Sequence, residues 1–242
     1  LGYPVIREVI TNKPDRDGAI DRTQYMGSRV VSANITTLTG ARGRIDQVAS
    51  RFAPFMLPAT ARPVLHYILD RPGLPERTLT LRAANYSWPI VGANQRDIHL
   101  QWTAADPVAR DPVIQTATAI TLSPASILTP GDVAIRPLFR ITGPLTAAAI
   151  LLTESNPPYS SWILAFQSSF VIAAGHFIEI DTEARTVLLD GDSAKPRLGS
   201  MDWTVSSWQW IAPYTPTQMS LTGTGDSSAT RVDVFWQDGY LS

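Results

Sequence analysis

The stretch HFIEIDTEARTVLLDG, residues 176 to 191, places Glu179, Asp181 and Glu183 at alternate positions. In an extended strand, side chains alternate between faces, so Glu179 and Asp181 would share one face about 6.6 Å apart. That spacing lies within the separation of about 5 to 9.5 Å that acid and base carboxylates adopt in glycoside hydrolysis. The same residues also suit a hairpin, with FIEIDT and RTVLLD as strands joined around Glu183 and Ala184. Asp181 would then accept N–H groups of the turn, Ile178 and Ile180 would enter a core, and Arg185 would pair with Asp181 or Glu183. The hairpin is preferred, because nothing else in the chain completes a catalytic set.

Other chemistries find weaker footing. His66, His99 and His176 are widely separated and belong to no metal-ligand pattern. DRDGAID, with Asp15, Asp17 and Asp21, lacks the ligand spacing and distal glutamate of a calcium loop and is expected to be a solvated turn. The glycines of TGARGR and TGTGDSS fit neither a phosphate loop nor a dinucleotide fingerprint, and no G-x-S-x-G elbow presents a serine. Trp208 and Trp210 in SSWQWIA would share one strand face, with Trp203 and Trp236 close in sequence. They are candidate glycan contacts, since indole faces stack on sugar rings, although packing against an opposite sheet is the better expectation.

The elements that must hold these residues are strands. Nineteen prolines and 15 glycines separate short runs of Val, Ile, Leu, Thr, Tyr and Trp across 242 residues, which predicts an all-β chain. Expected strands include RVVSANI, VLHYIL, RTLTLRAANY, RDIHLQWTA and IQTATAITL, then AIRPLFRIT, AAAILLT, WILAFQSSFVIAA, FIEIDT, RTVLLDG, SSWQWIA, MSLTG and TRVDVFWQ. One exception is RIDQVASRF, where Ile45, Val48, Ala49 and Phe52 recur at helical spacing before Pro54 stops the helix. SPASILTPGDVAIR concentrates Pro, Ser and Gly, and so predicts two domains, 1–125 and 126–242, the second a jelly-roll sandwich.

Composition narrows the function classes. A formal net charge of -1 gives no basic surplus for nucleic acid or an anionic membrane, and no apolar run approaches the roughly 20 residues of a spanning helix. The absence of cysteine excludes disulfides, thiolate metal sites and a cysteine nucleophile.

AAGHFIEIDTEARTVLLDG and the ending TRVDVFWQDGYL resemble the C-terminal part of the distal tail (Dit) proteins, minor tail proteins of long-tailed bacteriophages. Gly175, Ile180, Asp181, Thr182, Arg185, Thr186, Val187 and Gly191 hold the matching motif positions, while His176 stands where an acidic residue is common. PVIREVITNKPDRDGAIDRTQYMGSRVV and LPATARPVLHYIL resemble the front of the same family. The resemblance implies a belt-like first domain with one short helix and a galectin-like second domain. It further implies a hexameric ring joining the tail tube to the tail-tip hub or baseplate, with tape measure and receptor-binding proteins as neighbours. Neither cofactor, metal nor enzymatic activity is implied, and the site of action would be the virion after assembly in the bacterial cytoplasm. Family members usually carry further residues ahead of the position corresponding to Leu1.

Overall fold

The computed structural model describes residues 6–7, 10–12, 19–21, 25–38, 64–68, 76–87, 90–92, 95–156, 160–208 and 210–241. Among these residues the regular structure is β-strand plus one 3-10 turn, Leu198–Ser200. The helix expected over RIDQVASRF lies outside the described residues. The chain divides into two compact units, one of residues 1–110 with 241–242 and one of Asp111–Tyr240.

The first unit holds β1 (Ile6–Arg7), β2 (Ile10–Asn12), β3 (Ala19–Asp21), β4 (Tyr25–Met26), β5 (Arg29–Leu38), β6 (Val64–Tyr67), β7 (Arg77–Thr80), β8 (Arg82–Ser87), β9 (Ile90–Gly92), β10 (Gln95–Ala104) and β11 (Ala109–Arg110). β1 pairs with β4 and β2 with β3, as nested antiparallel ladders in which Ile6 faces Met26 and Ile10 faces Asp21. β10 lies between β5 and β8, and its alternation puts Ile98 and Leu100 inward while His99 and Gln101 face out. A second sheet joins β6, β7 and β11, with Leu65 opposite Leu79. Val31, Leu79, Leu81, Ala104 and Ala109 form the apolar centre beneath Trp102.

The second unit comprises β12 (Gln115–Ala119), β13 (Ala125–Ile127), β14 (Leu138–Thr142), β15 (Leu145–Glu154), β16 (Ser161–Ala165), β17 (Val171–Ile172), β18 (Phe177–Asp181), β19 (Thr186–Leu189), β20 (Thr217–Thr224), β21 (Arg231–Trp236) and β22 (Gly239–Tyr240). One sheet runs β12-β21-β14-β18-β19; the other runs β13-β20-β15-β16, with β17 also on β15. Period-two alternation explains the first sheet: Phe139 and Ile141 of β14 face Ile180 and Ile178 of β18 on one side and Val234 and Val232 of β21 on the other, all fully buried. Leu145, Ile150, Leu152, Leu164, Met219 and Leu221 come from the second sheet into the same core, which makes the unit a β-sandwich. β15 keeps its apolar side inward despite a register shift between Thr146 and Ala149, where Ala147 takes φ 52° and resets the alternation from Leu145 to Ala148.

The division after Arg110 corrects the boundary expected at 125. Pro and Ser concentrate around 124–130, yet β12 precedes them and pairs residue for residue with β21, Gln115 to Trp236 through Ala119 to Val232. The proline-rich stretch therefore lies inside the sandwich, where it follows β12 and includes β13.

Gly143 sits where the chain passes from β14 to β15. A Cβ there would lie 2.6 Å from the carbonyl oxygens of both Ile172 and Ala173. Gly143→Ala is expected to lower stability by about 1–3 kcal/mol through this overlap, measured by denaturant unfolding.

Candidate functional site

The carboxylates of residues 176–191 sit on the hairpin of β18 and β19, with Ile178 opposite Leu189 and Asp181 opposite Thr186. Asp181 Oδ1 accepts the N–H groups of Glu183 and Ala184, each at 2.8 Å, so this carboxylate closes its own turn. The next side chain, Thr182, is buried and donates to the Pro137 carbonyl at 2.7 Å, tying the turn to the start of β14. Arg185 completes the turn at φ 56°.

Glu179 points to the outer face of the sheet. Its Oε2 accepts from Arg140 at 3.0 Å, and that guanidinium lies over the Phe177 ring at 4.6 Å and the Phe235 ring at 5.6 Å. The pair spans adjacent strands, because Arg140 is opposite Glu179 in the β14–β18 ladder. Arg140 is thus a cation that engages the acidic row, at Glu179, and alternation in LFRIT is the sequence signal that could have placed it on this face.

At the open end of the hairpin, Asp190 accepts the Phe177 N–H at 3.2 Å and meets His176 Nδ1 at 2.8 Å. The His176 hydrogen bond, followed by the Phe177 N–H, holds the Asp190 carboxyl below the usual aspartate range. Asp190 and Gly191 both adopt positive φ, 56° and 68°, and Gly175 opens the hairpin at 81°. Ile180 and Val187 are core residues, and Thr186 is exposed. Asp181, Thr182, Asp190 and the positive-φ turn residues all hold the hairpin together. Glu179 and Asp181, which shared a face by sequence, are committed to an ion pair and to a turn.

Trp208 and Trp210 do not share a strand. Asp202 Oδ1 accepts both the N–H and the hydroxyl of Thr204, and Ser206 Oγ bonds the Ala165 main chain, so local side-chain bonds displace a ladder there. Trp208 packs partly buried on the sandwich core and meets Trp203 at 5.4 Å between ring centroids with a 49° tilt. Trp203 and Trp210 are 44% and 54% exposed. Trp236 is buried in the core.

In the first unit, the outer face of β5, β10 and β8 forms an open cleft of about 290 Å³ lined by Ser32, Asn34, Asn85, Ser87, His99 and Gln101. These groups largely bond each other, His99 Nδ1 to Asn34 Oδ1 at 2.8 Å and Asn85 Nδ2 to Gln101 Oε1 at 3.2 Å. His66 pairs with Glu76 at 2.7 Å, so the three histidines lie in three separate settings. Among the described residues, no group of three potential metal ligands comes together and no helix is long and apolar enough to cross a membrane.

Two β-rich units, the second a sandwich carrying a turn-locked hairpin, make up a fold similar to that of one solved phage hub protein. The Dit protein of phage SPP1, a paradigm of the hub adsorption apparatus in phages infecting Gram-positive hosts, matches 99% of this chain and 90% of its own at TM-score 0.66 and 14% identity. A chain of the phage P2 baseplate in its activated conformation with Ca matches over 96% of this chain and 87% of its own at TM-score 0.45 and 11% identity, too distant to support an inference. No protein-family model and no curated protein matches the chain. The all-β class expected from sequence is the class observed.

Two measurements probe the hairpin. Thr182→Val is expected to cost about 1 kcal/mol by removing the buried hydroxyl bond, read from unfolding curves. Asp190 is more acidic in the folded than in the unfolded chain, so its stabilisation is complete above the ordinary aspartate pKa of about 3.9 and fades as pH falls through the lower folded value. Wild type and Asp190→Asn should therefore differ in Tm at neutral pH and converge in strong acid.

Proposed function

We propose that this chain is a non-enzymatic structural subunit of a bacteriophage tail tip. The observation that carries this is the fold shared with the SPP1 hub protein across 99% of the chain. The locked hairpin supports it independently, since Gly175, Asp181, Thr182, Arg185 and Gly191 occupy the motif positions of the resembling family and act there as turn and tether residues. In this reading the first unit is the belt of a hexameric ring and the second is a galectin-like domain. The ring joins tail tube to hub and supports receptor-binding proteins, with the tape measure protein at its channel. Its place is the virion, following assembly in the bacterial cytoplasm.

The physical character of the chain agrees. Head-to-tail closure of identical subunits uses extended edges and polar faces that meet without strong mutual repulsion. A net charge of -1 and internally paired polar groups meet that requirement. Light scattering and particle imaging of the purified chain, with and without candidate tube and hub proteins, should yield a sixfold ring. A strict monomer at high concentration that binds neither partner would sink the proposal.

The exposed Trp203 beside Trp208, with Trp210 also exposed, favours a second reading, a carbohydrate contact used in host recognition. Calorimetric titration with cell-wall glycans should then give binding that Trp210→Ala weakens at least severalfold. Equal binding by wild type and variant would remove this reading.

A further inference from the structure

The two ends of the sandwich treat their strand edges differently. At one end lie β19 and β16, and a single stretch after β19 covers both. Leu189 donates to the Lys195 carbonyl and Arg197 to that of Val187, alongside β19. Gln167 then donates to Ser200, Asp202 to Ala165 and Ser207 to Ile163, while Ser206 Oγ bonds both the N–H and the C=O of Ala165, alongside β16. Unpaired edge groups are a template for another chain, and here the protein occupies them itself.

At the opposite end is β12, hydrogen-bonded to β21 on one side only. The Ile120 N–H and C=O bond Ser123, turning away from the ladder, and the Asp111 N–H bonds the Asp238 carbonyl on the inner side. Main-chain groups alternate in direction along a strand, so those of Ile114, Thr116 and Thr118 point outward with Ile120. Among the described residues no backbone bond reaches the first three. From Pro112 to Gly131 there is no charged residue. Among the described residues, no lysine, no inward charge and no hydrogen-bonded loop protects this edge, where Val113, Ile114, Ile120 and Leu122 are 58%, 60%, 47% and 92% exposed.

We propose that β12 is a self-pairing edge, which joins two copies of this chain by antiparallel β-addition about a twofold axis at Thr116. Thr116 then faces Thr116 of the second copy, Ile114 faces Thr118, and Gln115 faces Ala117. The outward N–H and C=O groups of Ile114, Thr116 and Thr118 exchange bonds in this register. Each cross-strand pair on the exposed face is β-branched and no like charges meet, which makes the edge self-complementary as an isologous contact requires. Ser123 closes the ladder beyond Thr118, so the register is confined to the short stretch between Pro112 and Ala119. This contact goes beyond the proposed ring, whose interfaces are head-to-tail, and does not depend on it.

The test is the mass of the full chain by sedimentation and light scattering, with circular dichroism to verify the fold. Thr116→Lys sets like charges across the axis and should halve the particle mass. The double variant I114K/T118K should do the same, whereas I114E/T118K places opposite charges in both cross-strand pairs and should keep the wild-type mass. Asp233, which accepts from Thr118 Oγ1 at 2.6 Å, gives the introduced lysine a partner within the fold. Because the chain has no cysteine, Thr116→Cys should also oxidise to a covalent dimer. A mass unchanged by Thr116→Lys overturns the proposal, as does loss of pairing in I114E/T118K. Failure of the ring proposal would appear separately, as twofold particles without sixfold symmetry.

Discussion

Every strand needs partners for its main-chain N–H and C=O groups, and this requirement shapes the second unit more than any side chain does. Ten strands can satisfy each other inside two sheets, but the outermost ones cannot. Lys195 to Ser207 resolves one end by running alongside β19 and then β16, bonding each in turn. Once that stretch is fixed on the sheet edge, it forms no strand of its own and carries Trp203 along that edge. The placement of Trp203 is a consequence of edge satisfaction, and Trp208 meets it just beyond the last edge bond.

The motif hairpin follows from the same constraint at smaller scale. A tight turn leaves N–H groups without ladder partners, and Asp181 supplies an acceptor for two of them. Asp190 supplies one for Phe177 at the other end, where positive φ at two successive residues reverses the chain. Glu179 acts differently, neutralising Arg140, whose guanidinium covers two aromatic rings on a sheet face. Acids at alternate positions resemble a catalytic row in sequence, yet the backbone geometry assigns Glu179 and Asp181 different neighbours.

Much of the sandwich was legible because alternation alone determines which face is buried. PLFRIT, FIEIDT, RTVLLD and TRVDVFWQ each became strands, with Ile178 and Ile180 in the core as expected and Phe139, Ile141, Val187, Val232 and Val234 packed beside them. What was not legible depended on partners far along the chain. IQTATAITL gives no hint that its mate is RVDVFW more than a hundred residues later, so the prolines after it looked like a domain boundary. SSWQWIA has the composition of a strand, and only the proximity of Ala165 to Ser206 shows why it is not one. The His176–Asp190 and Arg140–Glu179 pairs were likewise invisible until register brought them together.

Across both units, polar side chains are mostly spent on one another. The amides of Asn85 and Gln101 pair, His99 takes Asn34, His66 takes Glu76, and Arg231 takes Asp233. A surface whose polar groups are already paired presents shape and area with little cost of desolvating lone charges, a property suited to packing against other proteins. Chemistry requires the reverse: a group held ready with its partner missing until substrate arrives. Among the described residues, the outer edge of β12 keeps main-chain groups without a protein partner, and another strand can satisfy them.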